Sequence, residues 1–233
     1  MRKKILAVIG LRSGSKGLKD KNIKDLCGKP LFYYIFKAAK QSKHINRVIF
    51  STDSKKYKKI ISKFGGYAPY MRPKSLSKDN SAEIEFIKDL LICLKEKENY
   101  VPDIIVRLLA TSPFQKAKDI DKAINLVLKK GYNSSVIISK ARQHPAKALR
   151  IISKNKSVTT YIGNNPINVG SKLNRQRHEE AYFRANVLVC KKNIIDKYNS
   201  LSSKKNGYVK IPHQIDIDNL DDFNYAKYLM KKI

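Results

Sequence analysis

The alternation of apolar runs with helix-periodic stretches over the first 140 residues is what most limits the folds open to this chain. The runs at 5–11, 47–52, 104–110 and 135–139 are almost continuously apolar, as strands buried on both faces must be. Between them, 31–41, 54–64, 82–95 and 117–130 place apolar residues at three- and four-residue spacing, the mark of amphipathic helices. Pro30 suits a first helical turn and Gly131 a helix stop. Such alternation predicts right-handed βαβ units, and so an α/β fold with a doubly wound, mostly parallel sheet. Ligands on these sheets bind beyond the carboxyl ends of the strands, where Arg12, Asp53, Thr111 and Ser112 all fall.

From 141 to 181 the pattern changes to irregular extended structure, with short pieces at 148–152 and 158–162 and turn signals at Asn164-Asn165-Pro166 and Gly170. This stretch is expected to project as an arm. The core resumes with a strand at 182–190, a helix at 193–201, a strand at 208–211 and a last helix at 220–232. No repeat or linker divides the chain, so 1–233 reads as one domain with the arm at 141–181 inserted in it.

No apolar run approaches the roughly 20 residues that cross a bilayer, and the N-terminal apolar run lacks an A-x-A-like cleavage site. Cys27, Cys93 and Cys190 are odd in number and widely spaced, which fits reduced thiols and a cytoplasmic location. The formal charge of +30 invites a nucleic-acid reading. However, the lysines are spread along the polar faces of helices, and no basic block alternates with aromatics. No specific nucleic-acid partner is expected, and the charge is compatible with attraction of small anionic substrates.

The sharpest local feature follows the first strand: GLRSGSKGLKDKN at 10–22, with Gly10, Gly14, Gly17, Arg12, Lys16 and Lys21. It matches neither a Walker A loop nor G-x-G-x-x-G. It reads either as a solvated basic turn or as a loop whose backbone N–H groups and cations wrap a polyphosphate. A second constellation stands near the other end, Ile215-Asp216-Ile217-Asp218. In an extended segment Asp216 and Asp218 share a face, and two carboxylates there suit Mg²⁺ held jointly with substrate phosphates. Alternatively, Asp218 or Asn219 caps the final helix. Asp79 reads as a ligand for a nucleotide hydroxyl or as a helix cap, and Thr111-Ser112 as ligand donors or as the start of a turn. His144, with no companion His or Cys and no evident nucleophile in the sequence, reads as structural.

Taken in order, these pieces resemble the acylneuraminate cytidylyltransferases (CMP-sialic acid synthetases) and their CMP-Kdo and other CMP-nonulosonate relatives. The resemblance rests on LRSGSKGLKDKN, GKPL at 28–31, STD at 51–53, RPKSLSKD at 72–79, TSP at 111–113, HPAK at 144–147, NRQ at 174–176, FRAN at 183–186 and IDID at 215–218. It implies a Rossmann-like nucleotidyltransferase that moves CMP from CTP to the anomeric 2-hydroxyl of a 2-keto-3-deoxy sugar acid, releasing pyrophosphate. It assigns Arg12, Ser15, Lys16, Lys21 and Asn22 to CTP, and Arg72 and Asp79 to the nucleotide pocket. Arg12, Lys21 and Asp218 are then the catalytic set, with Mg²⁺ on Asp216 and Asp218. Thr111, Ser112, Arg175, Gln176, Arg184 and Asn186 fall to the sugar, and the arm becomes a homodimerisation element. Two departures matter. Leu109-Ala110 stand where the family often has Gln-Pro, losing a hydrogen bond to the sugar unless Arg107 or a water substitutes. Asn186-Val187-Leu188-Val189-Cys190 replaces N-G-A-I-Y. Both point away from plain N-acetylneuraminate, towards a legionaminate- or pseudaminate-type sugar or an eight-carbon acid. The rivals are a nucleotidyltransferase using another NTP and a sugar phosphate, a D-x-D glycosyltransferase needing a preformed sugar nucleotide, and, from another class, a basic nucleic-acid-binding protein.

Overall fold

A computed structural model describes residues 3–152, 157–161 and 179–232. Its strands are β1 (Ile5–Gly10), β2 (Asp25–Leu26), β3 (Lys29–Pro30), β4 (Arg47–Ser51), β5 (Ile104–Leu109), β6 (Ser134–Lys140), β7 (Leu149–Ile151), β8 (Val158–Thr160), β9 (Tyr182–Lys191) and β10 (Asn206–Ile211). Its helices are α1 (Phe32–Lys40), α2 (Lys55–Lys63), α3 (Glu83–Glu98), α4 (Ala117–Leu128), α5 (Lys192–Tyr198) and α6 (Leu220–Met230).

The main sheet runs β10-β6-β9-β5-β1-β4. β1 pairs in parallel with both β4 and β5, and β10 with β6, while β9 runs antiparallel between β5 and β6. Five strands therefore share one direction. The apolar runs are the central strands: Leu6, Ala7, Val8 and Ile9 of β1 are wholly buried because helices cover both faces. On one face α1, α2 and α4 pack on Ile5, Ala7 and Ile9; on the other α3 and α5 pack on Leu6, Val8 and Ile105. Since β4 and β5 lie on opposite sides of β1, the chain reverses its winding there, which opens a crevice at the carboxyl ends.

A third cluster joins the two ends of the chain. Ile217, Phe223 and Ala226 pack on Leu26 and Leu31, so the segment leading into α6 lies against the region that follows the N-terminal loop.

Two local expectations need correction. Pro30 does not open a helix: it ends β3 of a small hairpin whose turn, Cys27-Gly28, has positive φ at both residues, and α1 starts after it. The pieces expected to be irregular at 148–152 and 158–162 contain β7 and β8, which pair as an antiparallel two-stranded sheet of their own. Among the described residues no helix is long and apolar enough to cross a membrane.

Candidate active site

The loop after β1 is held by neighbouring elements as well as by its own contacts. Asp53, just past β4, accepts hydrogen bonds from the Ser13 amide and hydroxyl, both at 2.7 Å. Asp20 sits in the left-handed region at φ 55° and accepts from Lys56 Nζ at 2.8 Å and the Tyr57 hydroxyl at 3.0 Å. Lys56 above all, and then Tyr57, hold the Asp20 carboxyl below the usual range. Asn22, nearly buried, donates to the Arg12 carbonyl at 3.3 Å. The cations are thus preset before any anion arrives, which lowers the ordering cost of binding.

Beside the loop lies a cleft of about 610 Å³ lined by Gly10, Arg12, Ser15, Lys16, Lys21, Asn22, Arg72, Asp79 and Thr111 among others. Asp79 accepts from Arg12 Nη1 at 2.7 Å and Lys16 Nζ at 2.5 Å, and these two cations keep its carboxyl low. It does not cap α3; there the Glu85 carboxylate accepts from the Ala82 amide at 3.1 Å. Arg72 is 5% exposed, donates from Nη2 to the Ser51 carbonyl at 2.6 Å, and lies 3.9 Å over the Phe86 ring. Burial lowers its pKa to about 10, so it stays charged at neutral pH.

The C-terminal aspartates reach the same cleft. Ile217 is fully buried and donates its amide to the Thr111 carbonyl at 3.0 Å, so Asp216 and Asp218 alternate to its other side and line the cavity. Lys21 Nζ donates to Asp218 Oδ1 at 3.0 Å. The helix cap and the exposed carboxylate are separate residues. Asn219 accepts from the Asp222 amide at 2.9 Å, and Asp222 Oδ2 accepts from the Asn219 and Asp218 amides. Asp218 does not cap α6; its side chain stays 75% exposed.

A cationic strand-end loop facing twin aspartates suits a nucleoside triphosphate, and the sequence comparison agrees. The cytidylyltransferase family matches residues 6–231. The chain belongs to the cytidylyltransferase family. It is 30% identical to the N-acylneuraminate cytidylyltransferase of Escherichia coli O18:K1:H7 over 100% of this chain and 53% of that one, so it spans about half that relative's length. It is 26% identical to the pseudaminic acid cytidylyltransferase of Campylobacter jejuni over 98% of this chain and 97% of that one. Among solved structures, CMP:2-keto-3-deoxy-manno-octonic acid synthetase complexed with CTP superposes with a TM-score of 0.71, covering 98% and 99% of the two chains at 15% identity, a likeness of fold.

In this cytidylyltransferase a second cleft adjoins the first. It is lined by Ser112, His144, Arg184, Asn186, His213 and Asp216, and Asp216 also lines the first. Asn186 Nδ2 donates to Ser112 Oγ at 2.7 Å, which ties β9 to the end of β5. The His144 Nδ1 accepts from the Ala146 amide at 3.2 Å, a capping role that fits its structural reading. Arg175 and Gln176 lie outside the described residues. Sequence reasoning assigned no task to Tyr57 and took Asp53 for a ligand-side residue, whereas both hold the loop. Alternation alone could place Asp53 at a strand end but not aim it at Ser13.

Proposed function

We infer that this cytidylyltransferase transfers CMP from CTP to the anomeric 2-hydroxyl of a 2-keto-3-deoxy sugar acid. The observation that carries the reading is the meeting of Lys21 with Asp218 at 3.0 Å, which puts the anion-binding loop and the aspartate pair in one cavity. The E. coli and C. jejuni relatives support the reaction class.

In this reading Arg12, Lys16 and Lys21, with Ser15 and Asn22, take the triphosphate, and Arg72 shapes the nucleotide end. Asp79 gives up Arg12 and Lys16 to the incoming phosphates. The sugar enters the second cleft against Ser112, Arg184 and Asn186, with Thr111 at the boundary and Arg175 and Gln176 as further candidates. Its 2-hydroxyl then meets the α-phosphorus beside Asp216, in line with the departing pyrophosphate. Positioning and charge neutralisation supply most of the catalysis, with Arg12 and Lys21 opposing charge that builds on the phosphates.

The donor set fits Mg²⁺. Two carboxylates share one face, and among the described residues no third His, Cys, Asp or Glu gathers with them. A hard ion that keeps waters and leans on substrate phosphates asks for no more. Asp216 and Asp218 would hold it, and when bound it would polarise the α-phosphate. Leu109 and Ala110 beside Thr111 favour a modified nonulosonate or an eight-carbon acid over plain N-acetylneuraminate. The exposed apolar residues of the β7–β8 hairpin support a homodimer.

The test is pyrophosphate release from each of CTP, ATP, GTP and UTP with Mg²⁺ and a panel of keto-sugar acids. CTP with at least one keto-sugar acid is expected to turn over; turnover with a sugar phosphate instead would falsify the assignment.

A further inference from the structure

Among the described residues, Arg107 is a buried charge that packing does not explain. It lies in β5, a strand otherwise made of Ile, Val and Leu, opposite Val8 on one side and Leu188 on the other. It is 6% exposed, yet it lines the first cleft. Its Nε and Nη1 are shut off from solvent with no hydrogen-bond partner. Glu83, at the start of α3, comes within 3.3 Å of Nε but off hydrogen-bonding geometry, and its side chain is itself 43% exposed. A guanidinium in that state is costly, since a buried donor left unmade forfeits its hydration without return. Burial accordingly presses its pKa down, with Glu83 and Asp216 acting to raise it and Arg184 to lower it.

Those neighbours locate Arg107. Asp216 is the residue shared by the two clefts, and Arg184 lines the second. Arg107 therefore lines the first cleft near the boundary that Asp216 marks with the second. Resting on the function proposed above, the acceptor's geometry completes the case. The carboxylate and the attacking hydroxyl of a 2-keto acid in its ring form sit on the same carbon. Whatever places that hydroxyl against the α-phosphate also brings the carboxylate to the cleft boundary. There it meets the charge of Asp216 and of the phosphates, and needs a cation of its own.

We propose that Arg107 is the residue that binds the acceptor's carboxylate, the planar guanidinium taking the anion on the edge that Glu83 now covers imperfectly. A planar fork matched to a carboxylate is the task for which Arg outperforms Lys. The position also makes good, by a charged contact, the hydrogen bond that Leu109 no longer offers.

The experiment uses the full chain, CTP, Mg²⁺ and a keto-sugar acid that the wild-type protein turns over, beside the methyl ester of the same acid. Acceptor kcat/KM, the KM for CTP and the melting temperature are measured for wild type, Arg107→Gln and Arg107→Lys. The wild type is expected to prefer acid to ester roughly tenfold to a hundredfold, the range for a contact to a charged group. Arg107→Gln should bring that ratio near one through a higher acceptor KM, with the KM for CTP unchanged, and Arg107→Lys should retain part of it. If Arg107→Gln does not fold, a reduced ratio in Arg107→Lys supports the assignment and an unchanged one overturns it. A variant that keeps the wild-type preference, or loses acid and ester alike, shows that Arg107 serves the fold instead. A wild type indifferent to esterification also overturns it while cytidylyl transfer stands. No pyrophosphate from any keto-sugar acid removes both readings.

Discussion

Lys21 and Asp218 are 197 positions apart in sequence, and their side chains meet at 3.0 Å. The lysine side chain is 12% exposed and the carboxylate 75%, so the pair is an amine held from below and an anion open to ligand from above. Asp218→Asn keeps an acceptor oxygen for Lys21 and removes only the charge. Pyrophosphate release should fall roughly a hundredfold or more, the scale of losing one group that stabilises transition-state charge. The melting temperature should move by less than about 2 °C, since the carboxylate is at the surface. Near-normal turnover at saturating Mg²⁺ would remove Asp218 from the site. Arg12, Lys16 and Lys21 were legible because one short loop carries them, and Asp216 and Asp218 because alternation along an extended segment is a local rule. Asp79's grip on Arg12 and Lys16, and the depth of Arg107, were not. Both depend on which elements pack together, and an Arg inside an apolar run gives no sign of its burial.

At the scale of elements, strands and helices followed from periodicity, but strand direction did not. β9 has the apolar pattern of its neighbours and runs the other way, because the chain re-enters the sheet at the end where β6 left it, Tyr182 pairing with Lys140. The same re-entry lets β9 present Arg184 and Asn186 beside the ends of β5 and β6. Meanwhile the loop after β1 and the segment before α6 approach so closely that Gly17 has no room for a side chain. A Cβ there would lie 2.4 Å from the Asp218 carbonyl oxygen, a backbone atom that cannot turn aside. Gly17→Ala should push the loop from the aspartates and lower kcat/KM for CTP at least about tenfold, since small misplacements carry large penalties in oriented reactions. Gly14→Ala is the control. Its φ of +81° makes any side chain strained, roughly 1–2 kcal/mol, but nothing stands within 4 Å of the added carbon. If both variants lose activity equally, backbone strain and not the close approach is responsible.

At the scale of the whole molecule, the homodimer proposed above rests on a contrast between charge and exposed apolar surface. The chain's surface is strongly basic, at a formal +30, yet the β7–β8 hairpin exposes Leu149, Ile151, Ile152, Val158 and Tyr161, with Ile151 78% open. Exposed apolar side chains grouped on one hairpin suit an interaction surface better than the scattered exposure common to soluble proteins. Two chains of like charge repel, so association through this hairpin must be driven by apolar burial against that repulsion, and salt screens the repulsion without weakening the burial. Sedimentation should therefore show a dimer whose dissociation constant falls as ionic strength rises from about 0.05 to 0.5 M, where the Debye length shrinks to a few ångströms. Ile151→Asp, which puts a charge into the contact without touching the cleft, should shift the protein to monomer. A dimer that loosens with salt, or survives Ile151→Asp, would place the contact on ion pairs elsewhere. If the monomeric variant also loses acceptor binding while still binding CTP, the partner's arm helps to build the sugar cleft. Retention of full activity would make each chain's site complete in itself.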